Sequence, residues 1–339
     1  MKGSVIALDH LGDREAAALI VDGQLEDLLI EGEGLSTGAI CRGIARRPMK
    51  GQGGLFLDGP EGPLYLRQIK GISPGEPLIV QVTGQAEPGK ALPVTAKLLF
   101  KSRYAIVTPD APGINVSRSI RDDDTRDMLL GIAHESFDGP GGLILRSECV
   151  GAEAGEIAED IAAMVALAGQ VLADSGKGPE LLVAGDGPHA LAWRDWPVPD
   201  VFDQDAGSFE CHGVTEALER ARRPEVALGN GASMWIEPTR ALVAVDVNTG
   251  GDTSPAAGLK ATIAALRALP RALRVRGLGG LITIDPAPVP KKERRQIETV
   301  LRAALKADRV ETTFVGWTPM GNIELQRKRD RVALSEVLS

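Results

Sequence analysis

The chain has 339 residues, 43% hydrophobic and 25% charged, with a formal net charge of −8; this excludes a disordered polymer and supplies a core for one large domain or two. Cys41, Cys149 and Cys211 lie far apart with no Cys-x-x-Cys pair, so neither a disulfide framework nor a structural zinc site is indicated, and a reducing compartment fits. The longest apolar stretch, around 162–173, is too short for a bilayer, and residues 1–4 lack the apolar core of a signal peptide, so a cytoplasmic protein with no membrane partner is expected.

Residues 4–9 and 16–31 read as strands joined by Gly/Asp turns. From Thr37 to about Leu99 the character changes. Short β-like pieces at 54–58, 63–67 and 77–83 alternate with Gly/Pro-rich turns, a spacing that predicts a small β-barrel. Strand-like runs then lead through 104–108 and 113–118, and another ends at Arg146 and Ser147. Residues 152–173 form an amphipathic helix, with Ile157, Ile161, Met164, Val165 and Leu167 on one face. Between 176 and 228 the pattern is mixed, with a strand at 180–184 and a short helix at 214–223. His189 and His212 have no partner spacing of the kind metal ligands show.

The most informative stretch runs from Trp235 to Pro286. Ala241 to Val245 and Leu281 to Ile284 are short apolar runs, each followed by an aspartate, Asp246 and Asp285, and they read as strands buried on both faces. Between them, 254–276 is long enough for a crossover helix, with Pro270 expected to kink or split it and Gly277 to stop it. A right-handed strand, helix, strand unit brings both aspartates to the carboxyl edge of one sheet, where open α/β sheets place ligands. Two like charges there oppose joint ionisation, and a divalent cation resolves the conflict. Oxygen donors of this kind suit Mg2+. Asn248, two residues beyond Asp246, falls on the same face and can bind a phosphate oxygen or hold a carboxylate. Alternatively, each aspartate simply begins a turn after its strand.

The acidic total hides an uneven distribution. Residues 258–331 carry 16 Lys or Arg against seven Asp or Glu, a local charge of +9, which is either a basic strip for a polyanion or a solvated helix face; 291–295 fits both readings.

The run 241–250, followed by 273–285 and then by Gly321, Asn322, Ile323, Glu324, Leu325, Gln326, Arg327, Lys328 and Arg329, resembles the catalytic core of the ribonuclease E/G family. The resemblance implies an α/β fold. Residues 1–36 and 178–229 would form a ribonuclease-H-like part, 37–99 an inserted S1-like (OB-type) β-barrel, 100–177 a 5′-sensor-like segment, and 230–339 a deoxyribonuclease-I-like catalytic sheet. It also implies Mg2+ held by Asp246 and Asp285 with Asn248 in support. Phe56, Tyr65 and Lys90 would face RNA, although aromatics on short strands also serve as barrel core. Arg118, Arg146 and Ser147 would grip a 5′-monophosphate.

Three departures from the family pattern stand out. Glu311 occupies the region where a further sensor arginine is expected, and Pro286, Ala287 and Pro288 follow Asp285 where a second acidic residue is usual. The sequence ends at Ser339 without the family's Cys-Pro-x-Cys zinc-link or small C-terminal domain, so a monomer or weak oligomer is expected rather than a zinc-linked tetramer. The implied activity is Mg2+-dependent endonucleolytic cleavage of single-stranded RNA, giving 5′-phosphate and 3′-hydroxyl ends. The alternatives are a non-catalytic RNA-binding relative with a regulatory or ribosome-assembly role and, more distantly, a two-aspartate nucleotide phosphohydrolase.

Overall fold

The computed structural model describes residues 2–47, 53–67, 71–87, 89–139 and 141–338, which fall into two compact units, Met1–Glu31 with Pro199–Ser339, and Gly32–Val198. The chain opens with an antiparallel meander, β1 (Ser4–Leu11), β2 (Arg14–Val21) and β3 (Gln24–Ile30). Asp22 and Gly23 between β2 and β3 both have positive φ, 49° and 77°, the two-residue hairpin turn whose twist suits the flanking strands. Small side chains at Ala16, Ala17 and Ala18 are fully buried.

The second unit follows as an insertion. Strands β4 (Ile40–Ala45), β5 (Gly54–Gly59), β6 (Gly62–Arg67), β7 (Pro77–Val82) and β8 (Leu92–Thr95) pair in the order β4-β5-β6-β8-β7, and β4–β7 pairing closes the barrel. Alternation decides which side chains fill it: Leu55, Leu57, Leu64 and Leu66 point inward and are buried. A four-stranded sheet then forms from β9 (Phe100–Lys101), β10 (Ala105–Thr108), β11 (Gly113–Val116) and β12 (Gly142–Leu145), in the order β11-β12-β10-β9. Helices α1 (Asp123–Ser136) and α2 (Ala154–Leu172) pack on it through Leu129, Ala133, Ile157 and Ile161. Asp122 starts α1 by accepting the Thr125 backbone N–H at 2.8 Å, the usual N-cap role of a short carboxylate.

Strand β13 (Glu180–Val183) pairs antiparallel with β4, and α3 (Pro188–Asp195) follows. The return to the first unit falls at Pro199. The buried Arg42 of β4 binds Asp174 and Glu180 and donates from Nε to the Gly178 carbonyl at 2.7 Å, tying 174–180 to the barrel strand.

The first unit resumes with β14 (Val201–Asp203) parallel to β1, and with α4 (Ser208–Cys211) and α5 (Val214–Arg222). It is completed by β15 (Glu225–Gly229), β16 (Ala232–Pro238), β17 (Val243–Asn248), α6 (Ala257–Arg276), β18 (Gly280–Asp285), α7 (Arg294–Ala307), β19 (Thr312–Trp317), β20 (Ile323–Arg327) and α8 (Leu334–Val337). The six strands run β15-β16-β17-β18-β20-β19. Helix α6 is the crossover between the parallel strands β17 and β18. Pro270 does not split it; the ring is buried in the helix face that carries Leu266, Leu269 and Leu273. Gly277 ends it with φ 65°, where a Cβ would lie 1.9 Å from the Val332 carbonyl oxygen. Helices α6 and α7 share one core with the inward residues of the sheet, among them Val243, Val245, Val247, Ile282, Ile284, Ile323 and Leu325. The opposite face of these strands carries exposed side chains. The strands thus alternate in and out, where the sequence reading had them buried on both faces.

Candidate active site and RNA-facing residues

On β17 every second residue leaves the core: Val243, Val245 and Val247 are buried, while Asp246 and Asn248 are exposed. Asp285 is exposed in the same way on β18. The two strands are in parallel register with Asp246 directly opposite Asp285, so both side chains leave one face of neighbouring strands, whose backbones run roughly 4.8 Å apart in a β-sheet. The Asn248 Nδ2 donates to the Asp246 Oδ2 at 2.7 Å, which leaves the other carboxylate oxygen available. Trp235 is the β16 residue opposite Asp246 and is 38% exposed, an aromatic neighbour to which sequence reasoning gave no role. Its signal is the alternation of β16, where Met234 and Ile236 are buried and Trp235 is not. The Gly250 of this motif has φ 63°, and a Cβ on it would sit 2.0 Å from the Gly231 carbonyl oxygen; only glycine lets the chain leave β17 against the β15–β16 turn.

These donors are hard oxygens without an imidazole or thiolate, and no group of three or more His, Cys, Asp or Glu suited to a metal occurs among the described residues. The set fits Mg2+, which takes one or two carboxylates and completes its shell with water and phosphate oxygens. It does not fit the closed N/S sites of zinc. His212, which looked solitary, lies 2.8 Å from Asp203. The Asp205 backbone N–H first and His212 second hold the Asp203 carboxyl below its ordinary range.

In the barrel, Phe56 and Tyr65 are cross-strand partners with ring centroids 5.1 Å apart and planes inclined by 50°. They alternate with the buried leucines and are half-buried, which puts them on the outer surface rather than in the core. Lys90 is exposed and pairs with Glu87. It precedes β8, whose Pro93 lies opposite Tyr65.

Strands β11 and β12 are parallel, with Val116 opposite Leu145, so Arg118, Arg146 and Ser147 emerge from one end of that sheet. Arg118 is exposed. Arg146 is held from within: its Nη1 donates to the carbonyls of Ser102 (2.5 Å), Arg103 (3.0 Å) and Arg194 (3.0 Å), and its Nη2 to Asp195 at 2.8 Å. Burial raises the Asp195 carboxyl, but Arg194 and Lys101 outweigh it and hold the group well below the ordinary range. The Ser147 hydroxyl donates to Glu148 at 3.2 Å. Glu311 precedes β19, and its carbonyl accepts the Lys328 N–H at 2.9 Å. In that region the buried side chain of Asp308 binds Arg274 and Arg327.

The chain belongs to the ribonuclease E/G family, whose sequence profile matches residues 100–202 and 198–330, and the barrel fits the S1-like OB barrel of that family. It is similar to Ribonuclease G of Salmonella typhimurium, 28% identical over 307 residues covering 78% of this chain and 62% of the relative. It is likewise similar to Ribonuclease G of Haemophilus influenzae, at 26% over 95% of this chain and 78% of the relative, and to Ribonuclease E of Nostoc sp., at 25% over 97% and 56%. The chain thus spans about three-fifths of the length of the first of these relatives. No helix among the described residues is long and apolar enough to cross a membrane.

Proposed function

We propose that the chain is a magnesium-dependent endoribonuclease that cleaves single-stranded RNA by hydrolysis, leaving 5′-phosphate and 3′-hydroxyl ends. The observation that carries this reading is the in-register pair Asp246 and Asp285 on an exposed sheet face, with Asn248 fixing Asp246, in a member of a family whose relatives are named Ribonuclease G and Ribonuclease E. Asp246 and Asp285 would hold the ion, and Asn248 orients the Asp246 carboxylate. When bound, magnesium supplies charge neutralisation for the scissile phosphate and an acidified water. Because water is the nucleophile, the RNA 2′-hydroxyl is not consumed. Trp235 offers a ring for a base beside the cleaved bond.

In the same reading, Phe56 and Tyr65 stack bases on the barrel surface and Lys90 meets phosphate. Arg118 and Ser147 meet the RNA 5′-phosphate, and Arg146, tied to four acceptors, positions them. The four-stranded sheet of β14, β1, β2 and β3 is the ribonuclease-H-like part and the six-stranded sheet the deoxyribonuclease-I-like part.

The test is cleavage of a short single-stranded RNA, with a 5′-monophosphate or a 5′-hydroxyl, in magnesium or in chelator. Asp246→Asn is expected to abolish cleavage and leave RNA binding within about twofold, since one metal ligand is worth several kcal/mol of transition-state stabilisation while binding is spread over many phosphate contacts. Equal cleavage by that variant overturns the proposal. Salt-sensitive binding without cleavage by the unaltered chain replaces it with a non-catalytic RNA-binding relative.

A further inference from the structure

In the first unit, on the helix-covered side of the six-stranded sheet, α6, α7 and β3 line an open cavity of about 450 Å³, within the range of pockets that hold small ligands. Its wall is divided. Pro270, Val300 and Ala304 make an apolar side, and Arg267, Arg271 and Arg309 bring guanidinium groups to it.

The carboxylates on the same wall are already engaged. Glu26 pairs with Arg274, and Asp308 is shared by Arg274 and Arg327. Asp27, 1% exposed, lies 3.2 Å from Arg331 and 3.9 Å from both Arg274 and Arg309. Among the described residues Arg267 has no carboxylate partner, and Arg271 donates only to the Leu25 carbonyl at 3.3 Å. Behind that wall the Arg327 Nη2, the Arg331 Nε and the Asp330 Oδ1 are buried with no hydrogen-bond partner, and none of these three residues lines the cavity.

Three guanidinium groups beside an apolar shelf, Arg267 and Arg309 exposed and Arg271 half-buried, match a ligand with a compact dianion and an organic body. Guanidinium forks bind phosphate bidentately, and a terminal phosphate offers three acceptor oxygens. We propose that this cavity binds a phosphomonoester of mononucleotide size, with Arg267, Arg271 and Arg309 on the phosphate and the Pro270 and Val300 side against the organic part. The site lies on the opposite face of the sheet from Asp246 and Asp285, and the proposal stands whether or not the chain cleaves RNA.

The experiment is calorimetric titration of the full chain with AMP and, as the uncharged control, adenosine. It is carried out in chelator and in an Arg118→Gln background, so that the proposed metal centre and 5′-end site are silent. AMP is expected to bind and adenosine not. Adding Arg267→Gln and Arg271→Gln is expected to weaken AMP roughly tenfold or more, the ratio for losing hydrogen bonds to a charged group. Arg267→Gln alone, an exposed position, gives the same direction if the double variant does not fold. Absence of AMP binding in the Arg118→Gln chain, or unchanged affinity after the two further substitutions, overturns the proposal. Displacement of AMP by a 5′-hydroxyl RNA also overturns it, by assigning the cavity to the RNA backbone.

Discussion

Asp308 shows how much can depend on one side chain. Its carboxylate is fully buried between Arg274 and Arg327, which are 6% and 1% exposed. Burial raises its carboxyl, and the Arg327 and Arg274 cations overcome that and hold it below the ordinary range. Asp308→Ala leaves two buried guanidinium groups short of a counter-charge, and a loss of about 3–5 kcal/mol is expected in urea unfolding; a loss under 1 kcal/mol means water reaches the pair. Arg146 shows why such roles were hard to foresee. The sequence places it beside Ser147 at a strand end, but the carbonyls that hold it come from Ser102, Arg103 and Arg194, which nothing in local spacing connects to it. The placement of Asp246, Asn248 and Asp285 on neighbouring strands was legible because its signal is local: apolar runs with aspartates after them, separated by the length of one crossover.

At the scale of elements, two predictions concern how strands present their side chains. Gly250→Ala places a methyl against the Gly231 carbonyl in a left-handed backbone, so a destabilisation of roughly 1–3 kcal/mol is expected, together with slower cleavage as β17 is displaced. Thermal unfolding checks the first and turnover the second. Phe56→Ala removes an outward ring from the barrel. Its expected effect is a loss of about 1–3 kcal/mol in single-stranded RNA affinity with little change in melting temperature, whereas a large drop in melting temperature with unchanged affinity returns Phe56 to a packing role. The barrel itself was readable from the regular spacing of short strands and turns. The pairing of β13 with β4 was not, because it rests on the buried Arg42 network across more than 130 residues of sequence.

For the whole molecule, each unit contains a carboxylate held low by arginine, Asp195 in one and Asp308 in the other. A folded-state value below the unfolded one contributes stability that is fully present above the unfolded pKa of about 3.9 and is lost as pH falls through the lower folded value. Melting temperature is therefore expected to be level with respect to these two groups near neutrality and to fall below about pH 4. Asp195→Asn is expected to melt lower at pH 7 and to lose less on acidification than the unaltered chain. Parallel curves for the two proteins exclude Asp195 as a source of the acid sensitivity.

The strict alternation along β17 has a consequence for folding as well as for chemistry. A slip of one residue in the pairing of β17 sends Asp246 and Asn248 inward, among Leu266, Leu269 and Ile297, and turns the valines out to water. An unpaired carboxylate in that core costs several kcal/mol. Asp246 thus also opposes a slipped strand register, because a β17 paired one residue out of place carries an unpaired carboxylate in the core.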